Sequence, residues 1–144
     1  MKTRTKIIAR YAETDMMGIV HHSVYPVWYE AARTEYIKQF GISYSDMEKL
    51  GVMMPLTAFS CKFGAPAHYE DEIIIETVPV KLTPARITFS YTAIRAADWA
   101  KLGSGITEHG FVDSVTFRPI NTKKRLPELY KQVLADTINE NEEQ

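Results

Sequence analysis

The sequence predicts an α+β fold in which an antiparallel sheet of about five strands wraps around one long helix. In the first third of the chain, aromatic residues recur at steps of three and four, which is a helical period. After Gly51, apolar and polar residues alternate almost to the end of the chain. Strands that are grouped after the helices favour an antiparallel sheet. A long apolar helix needs a broad surface to cover it, and a curved sheet provides one.

The long helix is predicted to begin after Ser23 and to end at Gly41. Ser23 is a suitable N-cap, and Pro26 falls in the first turn, where backbone N–H groups have no intrahelical partner. One face of the helix carries Tyr25, Trp28, Tyr29, Ala32, Tyr36 and Phe40. A shorter helix follows, because Ser45 and Glu48 have capping-box spacing and Gly51 can end it.

Five strands are predicted, over residues 3–9, 57–63, 72–82, 87–93 and 106–117, the last with a less regular pattern. Pro127 opens a C-terminal helix through Leu134, because proline is tolerated in a first helical turn. From Asp136 onwards the chain is polar and acidic, which indicates a frayed terminus. We therefore expect one domain over residues 1–135 and a polar tail over 136–144.

Composition narrows the range of functions. The chain has 144 residues, of which 45% are hydrophobic, enough for one substantial core. The formal net charge of -1 gives no indication of a nucleic acid or an anionic membrane as partner. The N-terminus lacks an apolar signal region, no segment is long enough to span a membrane, and the single cysteine suits a reducing compartment. These features predict a cytoplasmic protein.

The loop before the long helix carries the most chemical information. Asp15 precedes the conformationally permissive Gly18, and the pair His21–His22 closes the loop just before the helix begins. An acid beside a helix start places a proton acceptor next to free backbone N–H groups. Those groups can stabilise negative charge that develops on an oxygen. This combination is the minimum equipment for hydrolysis of an activated acyl group.

These residues also have structural interpretations. Aspartate favours turns and caps, so Asp15 could serve only the loop, and Glu13 is a second candidate acid there. The aromatic stripe is expected to be mainly core, with Tyr25 and Trp28 reaching a pocket. The histidines lack the spacing of a metal site, and no metal is predicted. Cys61 is predicted to be a buried, inert thiol rather than a nucleophile.

The motif Y-x-E-T-D-x-x-G-I-V-x-H-x-x-Y, ending at Tyr25, resembles that of the hotdog-fold acyl-CoA thioesterases. Within that family the chain is most similar to the 4-hydroxybenzoyl-CoA thioesterase-like group, which includes small bacterial tol-pal-associated enzymes. The similarity runs from about Ile7 to Pro127. His68 stands where an arginine is common in the family.

The resemblance implies roles for several residues. The acid that matches Asp15 is catalytic in the family, and the backbone N–H near His22 helps to bind the thioester oxygen. The His22 side chain is expected to orient Asp15 or to contact substrate, and Gly18 and Tyr25 are expected to line the substrate site. The family forms dimers or tetramers with active sites at the dimer interface. Three further residues are candidates for contact with the phosphates of coenzyme A: Arg86, Lys123 and Lys124. The alternative is that they belong only to solvated turns.

Three functions remain open at this point. The first is hydrolysis of acyl-CoA to the free acid and coenzyme A, with Asp15 as general base or nucleophile and with no organic cofactor. The second is the same chemistry on an acyl carrier protein. The third is a non-catalytic module that binds acyl thioesters.

Overall fold

A computed structural model describes residues 3–143 of the chain, with side chains described through residue 137. The elements, in chain order, are β1 (Thr3–Ile8), α1 (Val24–Lys38), α2 (Tyr44–Lys49), β2 (Val52–Met53), β3 (Leu56–Phe63), β4 (Glu72–Leu82), β5 (Arg86–Arg95), β6 (Lys101–Gly110), β7 (Val112–Asp113), α3 (Thr122–Arg125) and α4 (Pro127–Glu143). A short 3₁₀ turn, Tyr11–Glu13, follows β1.

Five strands form one antiparallel sheet in the order β1-β4-β5-β6-β3. The helix α1 packs on its inner face, where Tyr29 stacks on Tyr91 with ring centroids 4.7 Å apart and Tyr36 meets Phe89 edge-to-face at 5.4 Å. The short strands β2 and β7 pair separately. The predicted α+β arrangement, with a five-stranded antiparallel sheet around a long helix, is therefore confirmed.

Alternation along β5 is as predicted from the sequence. Its buried residues are Ile87, Phe89, Tyr91 and Ala93, and the residues between them are only partly buried. Aromatic and β-branched side chains on one face give the sheet an apolar surface for α1. The predicted limits of β4 are also confirmed.

The prediction for the last long strand was wrong at both ends. The strand β6 begins at Lys101, five residues before the predicted start at residue 106, and ends at Gly110. Gly103 and Gly105 hide its beginning from an alternation pattern. A Cβ at Gly105 would lie 2.5 Å from Cε2 of Tyr29, so the close approach of α1 requires glycine there.

Three helix boundaries also differ from prediction. The α2 capping box is formed by Ser43 and Asp46, not by Ser45 and Glu48, and the Asp46 N–H donates to Ser43 Oγ at 3.0 Å. The helix α1 begins directly after Ser23, as predicted, although the Ser23 side chain makes no capping bond, and it ends at Lys38, before the predicted end at Gly41. The helix α4 continues to Glu143, well past the predicted end at Leu134.

The C-terminal residues at the start of the predicted tail are not frayed. Asp136 is only 7% exposed and accepts a hydrogen bond from the Tyr36 hydroxyl at 2.5 Å. This contact ties α4 to α1. The sequence alone does not distinguish a buried aspartate that is bonded to a buried donor from an aspartate in solvent. The segment therefore appeared to be a polar tail.

The strand β3 is an edge of the sheet and is largely exposed. Phe59 and Phe63 are 56% and 53% exposed, and Cys61 between them is only partly buried. The predicted burial of the Cys61 thiol is therefore only partial, and this partial burial raises the pKa of the thiol. The outer edge of such a strand presents backbone N–H and C=O groups that could pair with another strand.

Candidate active site

The loop from Glu13 to His21 is a closed, hydrogen-bonded turn. The Asp15 N–H donates to the Ile19 carbonyl at 2.8 Å, and the His21 N–H donates to the Glu13 carbonyl at 2.9 Å. Gly18 has a φ of +78°, so the position favours glycine. The loop thus holds Asp15 in a fixed position ahead of α1.

Asp15 uses one carboxylate oxygen for the loop itself. Its Oδ1 accepts from the Met17 N–H at 2.8 Å and, more weakly, from the Ile19 N–H at 3.5 Å. Its Oδ2 accepts no hydrogen bond from any residue in the described part of the chain. The side chain is partly exposed. Asp15 therefore stabilises the turn with Oδ1, while Oδ2 is available to a substrate or a water molecule. A role in the loop is thus compatible with a role in catalysis.

Glu13 has a different environment from Asp15. It is 8% exposed, and its Oε1 accepts from the Arg10 N–H at 2.7 Å. Its Oε2 accepts from the indole N–H of Trp28 at 3.1 Å and lies 3.5 Å from Nη2 of Arg10. Oε2 therefore ties the loop to α1, while Oε1 bonds to the backbone just before the loop.

The two histidines have separate partners. Nδ1 of His21 lies 2.7 Å from Ser23 Oγ and accepts from the Ser23 N–H at 3.1 Å. His22 is exposed, with its ring centroid 4.0 Å from that of His21 and 6.5 Å from that of Phe63. Within residues 3–143, no hydrogen bond or ion pair joins His22 to Asp15. The His22 backbone N–H also donates to none of these residues.

Tyr25 and Trp28 lie beneath this loop and are both 3% exposed. The Tyr25 ring contacts Trp28 and Phe63, each at a centroid distance of 5.1 Å. Burial raises the pKa of the Tyr25 hydroxyl. Both side chains therefore belong to the core, in agreement with the structural interpretation of the aromatic stripe. Tyr25 also reaches the edge strand β3 through its contact with Phe63.

In the structure, the predicted cationic residues Arg86, Lys123 and Lys124 do not lie at the Asp15 loop. Thr122, next to Lys123 and Lys124, donates from its N–H and its hydroxyl to the Pro84 carbonyl, close to Arg86. The loop lies at the other end of β5, because the Val20 N–H bonds to Ala67 and Arg95 bonds to Pro66. The nine residue steps from Arg86 to Arg95 span about 30 Å.

A second polar cluster was missed by the sequence analysis. Arg33 donates from Nε to the Tyr44 hydroxyl at 3.0 Å and from Nη1 to the Tyr91 hydroxyl at 3.1 Å. Tyr91 Oη lies 2.6 Å from Thr107 Oγ1, which lies 2.9 Å from His109 Nε2. The wide separation of these residues in sequence hides the cluster.

Chemistry fixes the direction of these hydrogen bonds. Burial, and then the charge of Arg33, lower the pKa of His109 to about 4, so its ring is neutral at pH 7. Nδ1 of His109 faces the Met54 carbonyl at 3.3 Å, which can only accept, so Nδ1 carries the proton. Thr107 therefore donates to His109, and Tyr91 donates to Thr107. The Tyr91 and Thr107 hydroxyls thus each donate one hydrogen bond and accept one.

A pocket of about 210 Å³ opens beside this cluster. Its walls are formed by Arg33, Tyr44, Met47, Glu48, Val52, Met53, Met54 and Pro55. Burial raises the pKa of Tyr44 to about 12 against the opposing effect of Arg33. In the described part of the chain, no His, Cys, Asp and Glu side chains group together as a metal site, and no helix could cross a membrane.

Comparison with known proteins gives a consistent result. The model of the thioesterase-like superfamily matches residues 9–135. The Bacillus subtilis protein YneP, provisionally named an acyl-CoA thioesterase, is 35% identical over 126 residues, covering 88% of this chain and 91% of that protein. The Escherichia coli acyl-CoA thioester hydrolase YbgC is 27% identical over 86 residues, or 60% of this chain and 64% of YbgC.

A solved structure extends the similarity to the whole fold. The DHNA-CoA thioesterase from Staphylococcus aureus matches with a TM-score of 0.89 and 34% identity, covering 97% of this chain and 95% of that one. The chain therefore belongs to the thioesterase-like superfamily. The predicted hotdog fold and the predicted class, a thioester hydrolase, are confirmed.

Proposed function

We propose that this protein hydrolyses acyl-CoA to the free acid and coenzyme A at the Asp15 loop. The observation that carries the proposal concerns two groups in and just after one short loop: Oδ2 of Asp15 and the backbone N–H of His22 have no hydrogen-bond partner among the described residues. The relatives named for acyl-CoA hydrolysis support the substrate class. The motif from Tyr11 to Tyr25 supports assignment to the 4-hydroxybenzoyl-CoA thioesterase-like group with its tol-pal-associated members.

The proposed chemistry needs few groups. The thioester carbonyl is activated because a thiolate leaves more readily than an alkoxide. Asp15 either takes a proton from the attacking water or attacks the carbonyl itself. The His22 N–H at the start of α1 donates to the oxyanion, a contribution of about 3 kcal/mol, and the acid contributes roughly 10²- to 10⁴-fold in rate. Gly18 lets the loop approach the substrate closely, and Tyr25 supports the loop from below.

The proposal includes a dimer with a continuous sheet, or a tetramer built from two such dimers. The exposed apolar side chains of β3, Leu56, Phe59 and Phe63, support pairing at this edge. A second copy would also address the separation between Asp15 and the cations Arg86, Lys123 and Lys124. Cations from one subunit could then hold the coenzyme A phosphates of a substrate bound at the other.

The acyl group is proposed to be apolar, because the residues around the loop and the edge strand are aromatic. Acyl-CoAs of increasing chain length should therefore be cleaved at different rates, with apolar chains preferred over acetyl. A reducing, cytoplasmic location fits the single free cysteine.

Release of free thiol tests the proposal. Purified protein would be assayed with acetyl-, hexanoyl-, decanoyl- and benzoyl-CoA, and with hexanoyl and decanoyl groups on acyl carrier protein. We expect thiol release from the longer or aromatic acyl-CoAs. Release only from the carrier-protein substrates would replace the proposed substrate class. Tight binding of a non-hydrolysable acyl-CoA analogue without any release would identify a binding module instead of an enzyme.

A further inference from the structure

The pocket beside Arg33 combines apolar walls with one cationic group. Met47, Met53 and Met54 supply half of the six methionines in the chain, and their flexible side chains can adapt to different shapes. Arg33 lines the same space. The volume of about 210 Å³ is more than ten times the roughly 15 Å³ that a cavity must offer to hold one water molecule. The space therefore suits a small organic molecule.

The charge on Arg33 has no counter-charge in the part of the chain that the structure describes. Its two hydrogen bonds go to neutral hydroxyls, those of Tyr44 and Tyr91. No carboxylate forms an ion pair with it, and its Nη2 donates to no described residue. Glu48 also lines the pocket but is exposed and lies outside ion-pairing distance. Arg33 is partly buried, and a charge withdrawn from water is costly unless it is paired, so the site favours an anion.

We propose that this pocket binds a carboxylate attached to a small apolar body, with Arg33 as its anchor. A carboxylate can take two N–H groups of one guanidinium, and Nη2 together with the second N–H of Nη1 is available for it. The methionines cover the apolar part. Given the proposed hydrolysis, the carboxylate has two possible sources: the acid that the reaction releases, or a second carboxylate at the far end of the acyl group.

A matched pair of ligands tests the anchor directly. Benzoate and benzamide have nearly the same shape and differ in charge. We expect benzoate to bind roughly 10- to 150-fold more tightly than benzamide, the usual worth of a hydrogen bond to a charged group. Titration calorimetry would give both affinities. The ¹⁵N-edited NMR signal of the Arg33 side chain should shift with benzoate and not with benzamide.

Variants provide the controls. Arg33→Gln should abolish the preference for benzoate, whereas Glu48→Gln should increase the affinity for benzoate because it removes a like charge at the mouth. If Arg33→Gln does not fold, the comparison of benzoate with benzamide in the wild-type protein and the NMR signal of Arg33 still test whether Arg33 binds the carboxylate. Equal binding of benzoate and benzamide, or a preference that survives in Arg33→Gln, would overturn the proposal.

A rate comparison separates the two sources. Adipoyl-CoA and hexanoyl-CoA have the same chain length, and only adipoyl carries a terminal carboxylate. A preference of kcat/KM for adipoyl-CoA that disappears in Arg33→Gln would identify the acyl terminus as the occupant. Benzoate binding without such a preference would identify the free acid. Absence of thiol release from every substrate would refute the proposed function, while the benzoate titration would still test the pocket.

Discussion

The indole N–H of Trp28 donates to Oε2 of Glu13 at 3.1 Å and so joins the Asp15 loop to the first turns of α1. Both partners are buried. The same carboxylate accepts from the Arg10 N–H at 2.7 Å. The Glu13 side chain therefore bonds both to the backbone before the loop and to α1 beneath it. The sequence presents Glu13 as a rival to Asp15, but in the fold its oxygens are already engaged.

Removal of this contact should destabilise the protein. Trp28→Phe keeps an aromatic ring but leaves Oε2 of the buried Glu13 with only the long 3.5 Å contact to Arg10, which costs about 1–3 kcal/mol of unfolding free energy. Urea denaturation would measure the loss. The exposed Trp99, changed to phenylalanine, is the matched control and should be neutral. Equal stability of Trp28→Phe and wild type would contradict the assigned role.

Replacement of Asp15 should separate turnover from folding. In Asp15→Asn the amide oxygen can still accept from the Met17 N–H, so the loop and the binding of substrate analogues should survive. Turnover should fall by roughly 10²- to 10⁴-fold because the negative charge is lost. Thiol release and urea denaturation would both be measured.

Glu13→Gln is the comparison for Asp15→Asn. It should lower stability more than turnover, because Glu13 is engaged with Arg10 and Trp28 and not exposed to substrate. Near-wild-type turnover in Asp15→Asn, or a larger loss of turnover in Glu13→Gln at full folding, would mean that Asp15 is the wrong acid.

A charge on the edge strand should block assembly. Phe59→Glu places a carboxylate on the exposed face of β3, where the proposed partner strand would bury it. Sedimentation velocity at micromolar concentration should then show a monomer. Val115→Glu, at a position 87% exposed and away from β3, should leave the assembly intact. A wild-type monomer with full activity would refute the dimer.

The stacked pair Tyr29 and Tyr91 should respond oppositely to loss of a hydroxyl. The Tyr29 hydroxyl is buried and has no hydrogen-bond partner among the described residues, so Tyr29→Phe should be neutral or stabilising. Tyr91→Phe removes the acceptor of Arg33 and the donor to Thr107, and should cost about 1–3 kcal/mol or more. Thermal and urea unfolding of both variants would check this. Similar losses in both would contradict the hydrogen-bond assignment.

His109 should make stability fall in acid. Its pKa is about 4 in the folded protein against an ordinary value of 6.5, so the unfolded chain takes up a proton first as pH falls. Its contribution is therefore complete above pH 6.5 and declines between pH 6.5 and about 4, by up to about 3 kcal/mol. The pH dependence of urea unfolding should be flatter in His109→Gln by this amount. An unchanged slope would show that His109 titrates normally.

Local pattern in the sequence determined most of the secondary structure and the identity of the loop. The aromatic stripe of α1, the alternation of β5 and the residues around Asp15 are all local signals, because helical and strand periods repeat within a few residues. The motif around Gly18 was likewise readable, since its parts are contiguous. Two of the errors fell where a local rule met a distant contact, at Gly105 against Tyr29 and at Asp136 against Tyr36.

Only the tertiary structure decided what each polar side chain does. Asp15 and Glu13 are two residues apart, yet their carboxylates have different surroundings. Glu13 is bonded to Trp28 because α1 passes beneath it, whereas Oδ2 of Asp15 has no hydrogen-bond partner among the described residues. The Arg33 cluster joins residues from α1 to β6 that no spacing rule connects. Hydrogen bonds act over about 3 Å in space, whereas a sequence records only neighbours along the chain.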